Sequence, residues 1–466
     1  MDRMHEAISV VPSPRQLAWQ QMEFYAFAHF GMNTFTGREW GDGTASPELF
    51  NPTDFDPDQW VRAVKSAGMT GLLLTCKHHD GFCLWPSAYT DYSVKASPWK
   101  DGKGDMVAMV ADACHRGGIK FGVYLSPWDR HEASYGTGEA YNTFYKNQLR
   151  ELAENYGEIF CFWFDGACGE GKNGKKQEYD WEGYYRIIRD TQPNAVISVC
   201  GPDVRWCGNE AGACRTSEWS VVPAGLRSAE RTAAHSQQAD DGEFSRRVSS
   251  TDEDLGSRAA IADAGELVWY PAEVDTSIRK GWFYHPEEDS QLRTLEELET
   301  IYDQSVGGNA CLLLNIPPDT RGLFADPDVE LLARLGQRLR SRFAQDLTAG
   351  AALSANCQQP SHPAAEALHP DETRYWQAPE GREQAVLQLK FDRPVSFSQV
   401  LLGEYLPASQ RIEAFELWAN GQKLAQGTVV GHKRICRFAP VKAEALEIRI
   451  TQSRVCATLR RISVYA

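Results

Sequence analysis

Residues 161–166 read CFWFDG: Cys161, Phe162, Trp163, Phe164, Asp165, Gly166. Four apolar residues in a row predict a strand buried on both faces, as in the parallel sheets of α/β proteins. The strand then ends on a carboxylate and a glycine. In (β/α)8 barrels the reacting groups stand at the carboxyl ends of the strands, which is where this reading puts Asp165.

Outward from this stretch the same texture repeats. AFAHFGM, GLLLTCKHH, KFGVYLS, IFCFWFDG, AVISVCGP, ELVWYPAE and ACLLLNIPP are strand candidates. Between them lie amphipathic helix patterns such as DPDQWVRAVKSAG, DMVAMVADACHRGG, YNTFYKNQLRELAENYG, WEGYYRIIRDTQP and LRTLEELETIYDQSVGG. Strict alternation predicts parallel pairing with crossover helices. No GxGxxG turn follows any strand, so a (β/α)8-like barrel is expected over residues 1–345 rather than a dinucleotide-binding sheet. After ADPDVELLARLGQRLRSRF, read as a closing helix, period-two runs take over, and ANGQ between two of them marks a hairpin. Residues 346–466 are therefore expected to form a β-sandwich. Two polar insertions, 169–180 and 228–258, are expected as exposed loops over the barrel mouth, the second equally compatible with disorder.

Composition narrows the function. A net charge of −15 disfavours nucleic acid and anionic membrane surfaces and suits a neutral substrate. No segment approaches a membrane span, and MDRMHEAISVVPSPRQLAWQ lacks a signal-like apolar run. The expected location is cytoplasmic as the sequence stands, or secreted or periplasmic if a leader was removed. Of twelve cysteines, Cys76, Cys161, Cys200 and Cys311 fall inside apolar runs and no CxxC pair occurs, so free buried thiols are expected and a zinc site is not. The 14 tryptophans fill cores or stack on sugar rings.

Two clusters accompany Asp165 at predicted strand ends: His29, Glu39 and Trp40 in AHFGMNTFTGREWGDG, and His78, His79 and Trp85 in CKHHDGFCLW. Adjacent His78 and His79 would point to opposite sides of an extended chain, which argues against one metal ion and for hydrogen bonds to substrate hydroxyls. Glycoside cleavage by the common route needs a second carboxylate. Glu210 in GPDVRWCGNEAG follows Trp206, a neighbour able to desolvate an acid; Glu218, Glu273 and Asp275 are its rivals.

HFGMNTF, KHHDGFCLWPS, FGVYLSPWD and WFDG, taken together over essentially the whole chain, resemble the α-L-fucosidases of glycoside hydrolase family 29. The resemblance implies a (β/α)8-like barrel followed by a β-sandwich similar to galactose-binding, discoidin-type modules. It implies Asp165 as nucleophile of a retaining mechanism, with His29, His78 and His79 binding fucose and Glu39, Trp40, Tyr124 and Trp163 completing the pocket. VRWCGNE resembles the acid/base segment of the α-1,3/1,4-specific subgroup, which implies Glu210 as acid/base. VWYPAEVDTSIRKGWFYH is also similar to that subgroup and would place Glu273, Asp275 and Trp282 near the aglycone, although either carboxylate reads equally well as structural. Retention requires the two catalytic carboxyls about 5 to 5.5 Å apart. The implied substrate is a branched, fucosylated oligosaccharide, and no metal or organic cofactor is implied. The competing readings are a broad α-L-fucosidase accepting α-1,2 or aryl linkages and a sugar-binding protein without turnover. In the sandwich, Trp376 and Trp418 would face a core more readily than a sugar.

Overall fold

A computed structural model describes residues 2–236 and 254–466. Eight parallel strands form a nearly closed barrel: β1 (Phe24–Ala28), β2 (Gly71–Lys77), β3 (Lys120–Leu125), β4 (Cys161–Phe164), β5 (Val196–Val199), β6 (Arg205–Trp206), β9 (Ala272–Ser277) and β10 (Ala310–Asn315). The two intervening strands, β7 (Val221–Pro223) and β8 (Leu267–Trp269), pair with each other outside the barrel. Around the barrel the order is β5-β4-β3-β2-β1-β10-β9-β6, and an isolated parallel bridge, Ser198 to Val204, spans the remaining gap.

Pleat alternation decides what each strand offers the interior. Cys161 and Trp163 of β4 point into the barrel with Tyr25, Phe27, Leu73, Tyr124, Cys311 and Leu313, while Phe162 and Phe164 face the surrounding helices. Asp165 continues the inward register one step past the strand. The outward apolar residues are buried by the crossover helices, and each fully buried Leu or Phe contributes roughly 1.5–3 kcal/mol. Helix Pro57–Ser66 shows how the sequence writes these helices. Asp56 caps it by accepting from the Gln59 amide, Pro57 occupies the first turn, and Trp60, Val61, Ala63 and Val64 form one buried stripe.

The strand readings fail at two places. ELVWYPAE is split by Pro271: its first half is β8, outside the barrel, and the barrel strand is AEVDTS, whose inward Glu273, Asp275 and Ser277 hide it from a search for apolar runs. The eighth strand, β6, is two residues long and too short for any periodicity. Of the insertion at 228–258, Ala229–His235 is a short helix, and 237–253 lie outside the described residues.

The C-terminal part is antiparallel. Its six-stranded sheet comprises Ala352–Ala355, Ala385–Gly403, Ile412–Ala419, Gln422–Gly427, Arg434–Ser453 and Arg461–Tyr465, with a small second sheet of Trp376–Gln377 and Thr458–Leu459. Asn420 and Gly421 turn the hairpin with φ of 51° and 74°, the left-handed pair that a type I′ turn requires. The sandwich docks at the amino ends of β1 and β10. There Glu23 lies between His432 and Lys433, and Asn309 donates its backbone N–H to the Lys433 carbonyl. This leaves the carboxyl ends of the strands clear. Trp376 is fully buried and Trp418 lies under the Arg449 guanidinium at 4.2 Å, so both pack rather than present a sugar platform.

Candidate active site

A cleft opens at the carboxyl ends of the barrel strands. Ten of the residues singled out in the sequence line it: His29, Trp40, His78, His79, Trp163, Asp165, Trp206, Glu210, Asp275 and Trp282. Phe27, Gly166, Ala167, Val199 and Ser236 complete the wall.

Asp165 sits at its floor, its side chain 20% exposed. Its Oδ1 accepts from the Ala167 amide at 2.8 Å and its Oδ2 from the Tyr124 hydroxyl at 2.9 Å. Burial outweighs these donors and raises the carboxyl to about 6, which still leaves it ionised at neutral pH. A Cβ at Gly166 would meet the Ser236 hydroxyl at 2.0 Å, so a larger residue there would displace Ser236 from the cleft wall.

β2 ends at Lys77, and a turn brings both His78 and His79 into the cleft, their ring centres 4.1 Å apart. The two rings do not point to opposite sides as an extended chain would place them, because the chain turns after Lys77. Among the described residues no group of three or more His, Cys, Asp or Glu is arranged to hold a metal. Burial pushes His29 and His79 down to about 3 and His78 well below its usual value, so all three rings are neutral. Each then offers one donor and one acceptor, the inventory that reads hydroxyl groups. His78 Nδ1 accepts from Asn33 Nδ2 at 3.3 Å, leaving Nε2–H as donor. Ser126 gives its own proton to the Trp128 carbonyl, so His79 Nδ1–H donates to Ser126 Oγ at 2.7 Å and the bare Nε2 stands 3.7 Å from Asp165 Oδ2.

On the opposite wall Glu210 accepts from the Trp282 indole N–H at 3.4 Å, and Asp275 accepts from the Trp206 indole N–H at 2.9 Å. Burial first, then the neighbouring Glu210 charge, raises Asp275 well above the usual carboxylate range.

The family profile for α-L-fucosidases matches residues 17–342. The chain belongs to the α-L-fucosidase family, glycoside hydrolase family 29. Alpha-L-fucosidase 1 of Arabidopsis thaliana is 38% identical over 467 residues, spanning 98% of this chain and 87% of its own. A candidate α-L-fucosidase of Bacteroides ovatus superposes with a TM-score of 0.86 at 45% identity, over 99% of this chain and 75% of its own. A family 29 fucosidase of Ruminococcus gnavus in complex with fucose superposes with a TM-score of 0.85 at 30% identity, over 98% and 95% of the two chains.

Within this family fold four expected site residues stand away from the cleft. Tyr124 lies behind Asp165 and reaches it through its hydroxyl. Glu39 lies behind the Trp282 loop, accepting from the Trp282 and Phe283 amides at 2.7 and 3.2 Å and from His285 Nε2 at 2.8 Å. Glu273 is not an aglycone reader. It points inward below Asp275, fully buried, and its carboxyl is taken up by the hydroxyls of Tyr25 and Ser198 and by the Trp163 indole N–H. Trp85 is not a site residue either. After the His78–Gly81 turn the chain doubles back, Leu84 donating to the Cys76 carbonyl, and carries Trp85 into the outer core, where its indole N–H donates to Glu151 at 2.8 Å. The rival acid Glu218 is buried in an ion pair with Arg205. Asn33, Ser126 and Asn315, which orient the imidazoles, were not selected from the sequence; a polar residue ending the run LLLN was the one available signal for Asn315.

Val199 also lines the cleft with φ of 68°, a left-handed conformation costly for a β-branched residue. Its amide donates to the Val204 carbonyl across the β5–β6 gap, which holds it there.

Proposed function

We propose that this protein is a retaining exo-α-L-fucosidase that releases terminal α-1,3/1,4-linked fucose from branched Lewis-type glycans. The observation that carries the reading is one cleft lined by an ionised Asp165, by Glu210, by three neutral imidazoles and by four indoles. In this proposal Asp165 attacks the anomeric carbon while Glu210 gives a proton to the departing oxygen. Water deprotonated by Glu210 then frees the sugar with its configuration kept. His78 Nε2–H donates to a fucose hydroxyl. His79 Nε2, beside Asp165 Oδ2, receives one, since two acceptors 3.7 Å apart leave room for a donor. Trp40, Trp163, Trp206 and Trp282 supply apolar faces for the ring.

The linkage reading is supported by the VRWCGNE segment, which carries Trp206 and Glu210 together, and by Trp282, whose indole N–H meets Glu210. One indole donates to Glu210 and the other to its neighbour Asp275, where a leaving galactose- and N-acetylglucosamine-bearing aglycone would pass. The test is fucose release from the Lewis x trisaccharide and, in parallel, from 2′-fucosyllactose, with Asp165→Asn as blank. Release from the branched sugar alone is expected. Release from both would make the enzyme a broad fucosidase, and release from neither would reject turnover.

A further inference from the structure

We infer that Asn315 is a positioning residue of this cleft: one buried amide fixes the tautomer of His29 and holds the Trp282 peptide whose indole donates to Glu210. The inference rests on the fucosidase reading above for its consequence in catalysis, but its geometry stands by itself.

Asn315 is the last residue of β10, paired in register with Phe27 of β1 and Ser277 of β9, and it is fully buried. Its Nδ2 donates to the Trp282 carbonyl at 2.8 Å and to the Ser277 hydroxyl at 3.0 Å. A carbonyl only accepts, so the orientation of the amide is determined: nitrogen toward Trp282, oxygen toward His29. Oδ1 accepts the His29 backbone N–H at 3.2 Å and lies 2.8 Å from His29 Nδ1. An amide oxygen cannot donate, so Nδ1 carries the proton and Nε2 is the bare acceptor. The other arm of the same amide acts on Trp282. That residue is held at its carbonyl by Asn315 and at its amide by Glu39, and its ring lies 4.9 Å from that of His29 while its indole N–H reaches Glu210. Asn315 therefore couples a hydroxyl acceptor on one side of the cleft to the placement of the acid on the other.

Asn315→Asp separates this role from simple packing. A carboxylate keeps both acceptor bonds to His29 but meets the Trp282 carbonyl with an acceptor, and its charge favours the imidazolium form of His29. The protonated ring would donate from Nε2 where the substrate needs an acceptor, so kcat/KM should fall on the acid side and recover as pH rises. The titratable groups facing His29 are His78 and Tyr124, with ring centres at 5.7 and 6.1 Å; His79 adjoins His78, and Asp165, Glu210 and Asp275 line the same cleft. The same groups are present in both proteins, so the difference between the two profiles belongs to the new pair.

The experiment has three readouts. Asn315→Asp should move the acid limb of kcat/KM upward. Asn315→Ala should weaken fucose binding roughly tenfold, about one hydrogen bond, and should cost clearly less than tenfold when His29 is already alanine, the remainder belonging to the Trp282 arm. In the unaltered enzyme, ¹⁵N spectra of labelled histidine should show His29 as the neutral Nδ1–H form, a measurement that needs no variant to fold. A pH profile of Asn315→Asp superposable on that of the parent, additive losses in the double variant, or the Nε2–H form of His29 would each overturn the inference. Should the unaltered protein release no fucose, the function proposed above fails while the tautomer still reports on Asn315.

Discussion

Removing a single oxygen, by Tyr124→Phe, tests how the carboxyl proposed as nucleophile, Asp165, is tuned. Tyr124 is fully buried, and its hydroxyl donates to Asp165 Oδ2 at 2.9 Å; the Ala167 amide remains on Oδ1 in the variant. Burial raises Tyr124 itself well above the usual tyrosine range, so it stays a donor at every assay pH. Asp165 lies at about 6 as the balance of burial, which raises it, and these donors, which lower it. A hydrogen bond to a charged acceptor is worth roughly 1.5–3 kcal/mol, and 1.36 kcal/mol corresponds to one pH unit, so its loss should raise the carboxyl by roughly one to two pH units. In the proposed mechanism Asp165 must be ionised to attack. The acid limb of kcat/KM should therefore move from near pH 6 to roughly pH 7–8, with most of the rate regained in alkali. The assay is kcat/KM on an aryl fucoside across that range. A Phe variant that loses rate by the same factor at every pH would refute the reasoning.

Three further outcomes follow from other contacts. Glu210→Ala should be severe on natural glycans and much milder on an aryl fucoside whose leaving group needs no proton, and equal loss on both would mean that Glu210 shapes the site without protonating the leaving group. Trp85→Phe should leave kcat/KM unchanged while lowering Tm, because the variant removes the indole donor to half-buried Glu151 and leaves a void in the outer core; a KM change would return Trp85 to the site. Glu273 has its carboxyl raised from 4.5 to about 7 by burial, so the folded state binds a proton there that the unfolded chain releases above about 4.5. Folding stability should fall as pH rises from about 4.5 to 7, and Glu273→Gln should flatten that fall in denaturant titrations. An unchanged slope would mean that Glu273 is not penalised for ionising.

How much of this was legible in the sequence follows from the length and polarity of each element. β2, β3, β4 and β10 announce themselves as apolar runs with a polar residue at the end, and in β4 the register of Cys161 and Trp163 already aims Asp165 inward. β9 did not, because a barrel that buries Glu273, Asp275 and Ser277 in a hydrogen-bonded interior breaks the apolar signature of a parallel strand. β6, at two residues, has no period to detect. His78 and His79 were seen as a pair, but their shared direction depends on where β2 stops, a one-residue boundary that pattern reading does not resolve. Trp85 illustrates the converse error: adjacency in sequence to a site histidine does not survive a turn that sends the chain back under the strand. Asn33, Ser126 and Asn315 could not be selected because their importance lies in which imidazole nitrogen each one meets.

The central claim is that Asp165 attacks the sugar and is displaced by water with Glu210 as acid and base. ¹H NMR of the first fucose released from an α-fucoside, recorded before mutarotation, tests it most directly. α-L-fucose appearing first, and none of it from Asp165→Asn, is the predicted result; β-L-fucose appearing first would contradict the account, since a single inverting displacement has no place for a covalent Asp165 intermediate.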